Sequence, residues 1–398
     1  VEAMVEALGL LSGAALVAST IEHDVLPARV SAYRPSMLDE LCTAGEVVWI
    51  GAGALGAKDG RVRLCFADQL PLLAPGWEGR DAPEGALHDA IRTLLAEQGA
   101  SFWGQLRAAA PGAADQELLV ALWDLVWAGE VTNDSLAPLR AVVGGAAVRS
   151  SSTPSRRPGR PRPGRLNRIG PPAGQGRWSL VAPLLRPAPS PTEAAHAQAL
   201  QLVERYGVVT REAVLAEGLV GGFTNVYGVL KVLEERGQVR RGYFVDGLGA
   251  AQFAVPGAVD RLRAARETPD PFIRPDDVPD PIVLASTDPA QPYGAALSWP
   301  VTPGRPARNA SSVVVLRAGV PRVWFDRRGH HLVTFPSALQ DPSWPGALAS
   351  LVRDGRARAV EVRKVNGETL TGDVPEGLLE MLRSAGFVDG YRGLTFRG

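Results

Sequence analysis

Lysine, cysteine and histidine are all scarce in this 398-residue chain. Its two cysteines, Cys42 and Cys65, form no Cys-x-x-Cys pair. Its five histidines (His23, His88, His196, His330, His331) show no His-Glu-x-x-His or short His-x-His spacing. A disulfide scaffold and a zinc site of recognisable spacing are thereby excluded, and the chain reads as one of a reducing compartment, the cytoplasm. None of the three lysines (Lys58, Lys231, Lys364) follows a glycine, so the Gly-Lys-Ser/Thr of a phosphate-binding loop is absent, and with it a P-loop ATPase motor. There is no Gly-x-Ser-x-Gly nucleophile elbow. The nearest approach to a long apolar run, Ala3 to Ile21, is interrupted by Glu6, Ser12 and Ser19 and has no basic leader, which argues against a membrane span and a signal peptide. The chain opens at Val1, without Met and in what reads as mid-helix, so a fragment of a longer protein is expected.

The 42 basic residues cancel the 42 acidic ones, so only local charge can point to a partner. Thirty-nine of the basic residues are arginine, a bias that fits bidentate phosphate contacts and genomic base composition alike. A 45% hydrophobic content suits folded domains, and at roughly 100–200 residues per domain the length predicts two to four.

The pattern Leu-x-x-x-Gly-Glu/Gln-Val occurs three times, at Leu41–Val47, Leu125–Val131 and Leu233–Val239. Each copy follows apolar residues at helical spacing (Met37, Leu38 and Leu41; Leu118, Leu122 and Leu125; Val226, Leu230 and Leu233), and strand-like alternation comes after it. A helix, a glycine stop and a strand make the second half of a winged helix-turn-helix. Two earlier helices are predicted for the second copy, around Leu87–Leu95 and Phe102–Leu106, and for the third, at Ala199–Tyr206 and from Thr210. Gly51-Ala-Gly-Ala-Leu-Gly56 superficially fits a dinucleotide fingerprint, but it follows a strand and precedes a turn, so it is read as a wing loop.

From Val148 to Trp178 there are eight arginines, many Pro, Gly and Ser residues, and no acidic residue. This stretch is predicted to be a disordered or extended basic linker, either a solvated spacer or a phosphate-attracting arm. Beyond Asp260, strands at Val313–Leu316, Arg322–Phe325 and His331–Phe335 alternate with turns at Ala318-Gly319 and Arg328-Gly329, and helices flank Ala359–Lys364. The expected fold is α+β: winged helices at 1–80, 81–147 and 179–258, the linker at 148–178, and a small mixed β-barrel-like domain at 259–398.

DNA-contact candidates are Lys58, Arg61 and Arg63 on the first wing, Arg156, Arg157, Arg160, Arg162 and Arg165 in the linker, Asn225, Tyr227 and Lys231 on the third recognition helix, and Arg240 and Arg241 on its wing. The helix of the second copy carries Glu117, Trp123, Asp124 and Trp127 instead, which suits packing or subunit contact. In Ala285-Ser-Thr-Asp-Pro-Ala-Gln-Pro-Tyr-Gly294, Asp288 caps a turn or serves as a catalytic carboxylate that stabilises a cationic sugar or activates water on a flipped nucleotide.

Leu26-Pro-Ala-Arg-Val30, Leu38-Asp-Glu-Leu41, Gly45-Glu-Val-Val-Trp49, Arg241-Gly-Tyr-Phe-Val245 through Phe253, Thr287-Asp-Pro289 with Pro292-Tyr-Gly294, and Trp299-Pro300 together resemble the C-terminal region of the bacterial long-form Lhr (large helicase-related) helicases. The resemblance implies part of an ATP-dependent, superfamily 2, 3′-to-5′ DNA-repair helicase. Its motor, with ATP and Mg²⁺, would lie outside this chain, which itself needs no cofactor or metal. The resemblance also implies an arrangement similar to AlkZ-like winged-helix glycosylases. Their Gln-x-Gln or Gln-x-Asp motif is missing, since Gln198-Ala-Leu-Gln201 has the wrong spacing. The implied partners are DNA, single-stranded or tailed, the protein's own helicase core and further copies of the chain, with no membrane. The alternative activity is that of a uracil-type DNA glycosylase.

Overall fold

The computed structural model describes residues 2–74, 82–144, 170–249, 251–265 and 279–398. They fall into two compact units. The first lies within Val1–Glu22, Arg29–Arg205 and Glu217–Glu235, and the second within His23–Ala28, Tyr206–Ala216 and Arg236–Gly398.

The first repeat runs α1 (Glu2–Leu11), β1 (Leu16–Val17), α2 (Ala18–Thr20), α3 (Pro35–Thr43), β2 (Val47–Ala54), β3 (Gly60–Phe66) and α4 (Leu70–Leu73), with sheet order β1-β3-β2. The second runs α5 (Ala86–Gln98), β4 (Ser101–Phe102), α6 (Trp103–Ala109), α7 (Asp115–Trp127), β5 (Val131–Asn133), α8 (Ala137–Val143) and β6 (Arg177–Leu180), with order β4-β6-β5. Its central strand therefore comes from beyond residue 170. Arg177 and Trp178, read from sequence as the end of the linker, are part of this sheet. The third repeat comprises α9 (Pro191–Tyr206), β7 (Val208–Val209), α10 (Arg211–Glu217), α11 (Gly222–Glu235), β8 (Arg240–Gly242) and β9 (Gln252–Ala254), with order β7-β9-β8. The glycine that stops each repeat's helix is left-handed in all three copies: Gly45 at φ 77°, Gly129 at φ 80° and Gly237 at φ 71°.

In the first unit α7 packs on β2 at a distance that only glycine permits, since a Cβ on Gly51 would stand 1.8 Å from the Val126 carbonyl oxygen. Around this contact the indoles of both repeats form one buried cluster. Trp49 stacks on Trp123 at 6.4 Å, and Trp123 meets Trp127 at 5.2 Å and Trp178 edge-on at 5.8 Å. Indole N–H groups donate from Trp49 to Ser135 O, from Trp123 to Ala173 O and from Trp178 to Gly174 O, which offsets the cost of taking these polar atoms out of water. Arg140 of α8 bridges Glu22 and Asp39. The open carbonyls at the end of α1 are capped from α9, where Gln201 Nε2 donates to Gly9 O and Arg205 donates to Leu10 O.

In the second unit α12 (Ala258–Ala265) is followed by β10 (Ile282–Ala285), β11 (Ser312–Arg317), β12 (Val320–Asp326), β13 (His331–Thr334), α13 (Trp344–Arg353), β14 (Ala359–Val362), β15 (Lys364–Val365), β16 (Glu368–Thr369), α14 (Leu378–Ser384), β17 (Val388–Asp389) and β18 (Leu394–Arg397). No closed barrel is found among the described residues of the expected barrel-like domain. Among the described residues the strands form an open six-stranded sheet, β10-β11-β12-β13-β15-β16, with only β13 and β15 parallel, and a separate three-stranded sheet, β14-β18-β17. The reason is visible in β11, whose Ser312–Leu316 is buried on both faces. One face joins Val313, Val315, Phe325 and Trp344 in the main core, and the other packs Val314, Leu316 and Trp324 under Tyr293 and Trp299. A sheet covered on both sides need not close on itself.

Asp24 is also in this unit, 1% exposed, accepting a bidentate pair from Arg327 at 3.1 and 2.7 Å and a third hydrogen bond from Arg356 at 2.9 Å. Burial alone would raise its pKa, but hydrogen bonds from His23 and Arg327 and the charges of Arg327 and Arg356 hold the carboxyl well below the usual carboxylate range.

Trp49→Ala is expected to destabilise the first unit by about 3–5 kcal/mol, read as an earlier near-ultraviolet circular dichroism transition in urea; an unchanged midpoint would refute the central role of the cluster. Asp24→Asn is expected to destabilise the second unit by about 3–5 kcal/mol, because two buried guanidinium groups lose their counter-charge. Since the folded-state pKa of Asp24 is depressed, its contribution is complete above the ordinary carboxylate range and is lost as pH falls from that range down through the lowered folded-state value. The gap between wild type and Asp24→Asn should therefore narrow on acidification, and a gap independent of pH would contradict this account.

Candidate nucleic-acid interface and a buried carboxylate

The β2–β3 hairpin is closed by Leu55 N donating to Asp59 O at 2.7 Å, and the Asp59 carboxylate accepts from Ser19 N, Ser19 Oγ and Gly60 N. The turn holds Lys58 exposed at its tip, and Arg61 is exposed on β3. Arg63, the third cation expected on this wing, is half-buried and donates to Gly13 O at 3.2 Å.

α11 is amphipathic, with Val226, Leu230 and Leu233 buried and Thr224, Asn225, Gly228, Lys231 and Glu235 on the exposed side. Asn225 Nδ2 donates to Gln198 Oε1 at 3.2 Å, and the half-buried Tyr227 ring lies 5.6 Å from Phe223. In the other unit Arg240 and Arg241 are exposed on β8, next to Tyr243 at 81% exposure. The loop beyond is built on Gln252, which is fully buried. Its Oε1 accepts from Phe244 N and Val245 N, and its Nε2 donates to Val245 O. Gln252 lies within the Arg241–Phe253 stretch quoted above, but nothing in the sequence assigns its amide this role. Arg156, Arg157, Arg160, Arg162 and Arg165 lie outside the described residues.

Trp123 and Trp127, read from sequence as packing or subunit-contact residues, are buried inside the first unit. The first of these readings is the one the geometry meets.

Asp288, Gln291 and Ser286 are all fully buried in the turn after β10. Asp288 Oδ1 accepts from Ala290 N at 2.8 Å, the geometry of an aspartate turn. Gln291 Nε2 donates to Ser286 O and Tyr293 O, while its Oε1 accepts from Tyr293 N. Arg308 donates to the backbone carbonyls of Gln291 and Asp288. Desolvation lowers the Arg308 pKa, opposed by the charges of Tyr206 and Asp288. Thr287 Oγ1 is buried with no hydrogen-bond partner. Tyr293, Trp299 and Phe335 stack in a ladder at 6.0 and 5.8 Å. The turn thus brings Asp288, Gln291 and Tyr293 together as the sequence predicts. Trp299 belongs to the Trp299-Pro300 pair quoted above, whereas Arg308 and Phe335 come from further positions with no local motif.

Burial pushes the Cys42 thiol up to about 12 and that of Cys65 to about 11, so neither is a thiolate near neutrality. Among the described residues no cluster of three or more His, Cys, Asp or Glu could hold a metal ion, and no helix is long and apolar enough to cross a membrane.

Repeated winged helices followed by mixed sheets define the class as a tandem winged-helix protein of α+β architecture. Residues 1–67 and 188–271 each match a winged-helix domain of the large helicase-related protein. It is 42% identical over 407 residues to a protein of Mycolicibacterium smegmatis named Lhr helicase/probable uracil glycosylase, covering 97% of this chain and 26% of that protein. It is 34% identical over 419 residues to the Escherichia coli Lhr helicase/uracil glycosylase, covering 100% and 26%. The chain thus spans about a quarter of the length of these relatives. Among solved structures, the Streptomyces sahachiroi DNA glycosylase AlkZ is similar with a TM-score of 0.49 and 14% identity, over 87% of this chain and 89% of that one.

Proposed function

We propose that this chain is the DNA-binding region of an ATP-dependent 3′-to-5′ DNA-repair helicase of the Lhr kind, working with a helicase core that supplies the ATP- and Mg²⁺-dependent motor. The observation that carries this reading is the exposure of the cations where a winged helix meets a duplex or a strand: Lys58 and Arg61 on the first wing, Lys231 on α11, and Arg240 and Arg241 on β8. The family of the two matched winged-helix domains supports it. Asn225 and Tyr227 contribute polar and aromatic contacts from α11, and Arg63 is a weaker contributor because its guanidinium already serves Gly13. The linker arginines add an electrostatic arm, and single-stranded or tailed DNA is the preferred ligand. Self-association belongs to the same proposal, through surfaces other than Trp123 and Trp127.

Replacing Arg156, Arg157, Arg160, Arg162 and Arg165 together by serine should reduce the slope of log affinity against log salt for single-stranded DNA by roughly 3–4. Fluorescence anisotropy across a salt series reads this directly, and an unchanged slope would remove the linker from the interface.

A second reading is favoured by the names of the two relatives and by the buried carboxylate beside Arg308. In it the chain removes uracil from DNA, with Asp288 stabilising the cationic sugar or activating water. Because Asp288 is fully buried, the Ser286–Gly294 turn must move to admit a flipped nucleotide. Incubation without ATP with a uracil-containing single strand, then alkaline cleavage, is expected to cut with wild type and not with Asp288→Asn. Cleavage by both would move the site away from Asp288, and cleavage by neither would leave a binding region.

A further inference from the structure

The three-stranded sheet of the second unit ends in a hairpin to which the winged helices assign no role. Val388 pairs with Thr395 and Asp389 with Leu394, and Gly390 N donates to Gly393 O at 2.8 Å, which leaves Tyr391 and Arg392 alone at the tip. The hairpin is rigid at its base. Phe387 and Leu394 are buried in the main core, and Asp389 is bridged to Arg383 at 3.0 Å. Gly393 lies so close to β14 that a Cβ there would stand 2.1 Å from the Val362 carbonyl oxygen. From this fixed base the Tyr391 ring is 98% exposed, and Val388 beside it is 64% exposed. A tyrosine in water on a braced two-residue turn loses little side-chain entropy when a flat partner stacks on it.

The face of the sheet behind the tip has a sign. Leu394 and Phe396 of β18 and Val360 and Val362 of β14 point to the core, which turns the half-buried Glu361 and the exposed Arg397 to the other side, with Thr395 between them in the register itself buried. Glu361 is the one carboxylate of that strand face, and Arg363 neutralises it at 2.6 Å. The hydrogen bond from Arg363 comes first among the influences that lower the Glu361 pKa against burial, with the charges of His330 and Arg392 acting in the same direction. Arg392 and Arg397 are exposed and complete a cationic rim around the aromatic tip.

We infer that the Tyr391–Arg392 hairpin and the β14–β18 face behind it form a binding surface for single-stranded nucleic acid, in which Tyr391 stacks on an unpaired base and Arg392 and Arg397 hold the adjoining phosphates. An exposed ring with flanking cations matches the stacking platform and charged track by which such strands are held without sequence preference. The inference rests on the reading that this chain contacts DNA.

The test is anisotropy of a labelled oligothymidylate, and of a matching oligonucleotide with a central abasic stretch, against the full chain. Tyr391→Ala is expected to weaken oligothymidylate binding by about tenfold, with Tyr391→Phe close to wild type. On the abasic ligand Tyr391→Ala and wild type should converge, which loss of folding would not produce. Arg392→Ser with Arg397→Ser should lower the salt slope on both ligands. Wild-type binding that Tyr391→Ala leaves unchanged would overturn this surface and spare the winged helices, whereas no DNA binding by wild type would overturn both. A Tyr391→Ala variant that instead loses self-association in light scattering, with DNA affinity intact, would make the hairpin a protein contact and refute the inference.

Discussion

The first unit depends on one close approach, the carbonyl of Val126 on α7 set against Gly51 on β2, where any side chain would collide. That approach lets Trp49 from the first repeat stack with Trp123 from the second and seals a shared aromatic core with satisfied indole N–H groups. The first two winged helices are therefore one body and not two beads. It also explains why the second repeat is a poor candidate for reading DNA. α7 holds the position of a recognition helix, yet its Leu118, Leu122, Trp123, Val126 and Trp127 are buried, and its first turn is acidic. Within the described part of this unit the candidates for nucleic-acid contact are left on the outer turn of β2–β3 and the exposed face of α11.

The second unit is organised around a sheet buried on both sides and a carboxylate that cannot be left alone. Asp24 exchanges three hydrogen bonds with two arginines more than 300 positions away in sequence, a pairing that favours one arrangement because any misplacement leaves charge in a dry interior. Tyr293 of the Ser286–Gly294 turn and Trp299 just beyond it pack against Trp324 and Phe335. The same turn fixes Asp288, so the candidate carboxylate sits on a packed support.

Local signals in the sequence carried a good part of this. The three Leu-x-x-x-Gly-Glu/Gln-Val strings mark three helices stopped by left-handed glycines and followed by strands. Ala318-Gly319 is the hairpin turn it reads as, with both residues at positive φ. Gly51–Gly56 is the end of β2 and its turn, as a wing reading requires. Less legible were the ends of segments whose partners lie far off. β6 reads as part of a Pro- and Arg-rich stretch because four residues give too short a period to stand out, and the barrel was inferred from strand density without knowledge of pairing.

The sequence by itself determined the repeat, the helix stops, the turns, the segregation of arginine and the absence of a motor loop, because each depends on residues within one or two turns of chain. Only the tertiary structure decided that Gly51 faces Val126, that Arg63 serves Gly13 while Lys58 and Arg61 stay in solvent, that Trp123 and Trp127 are interior, and that Asp24 meets Arg327 and Arg356. These are encounters between surfaces far apart in sequence. Their outcome depends on side-chain volume, charge and backbone approach together, and no pattern confined to a single segment contains that information.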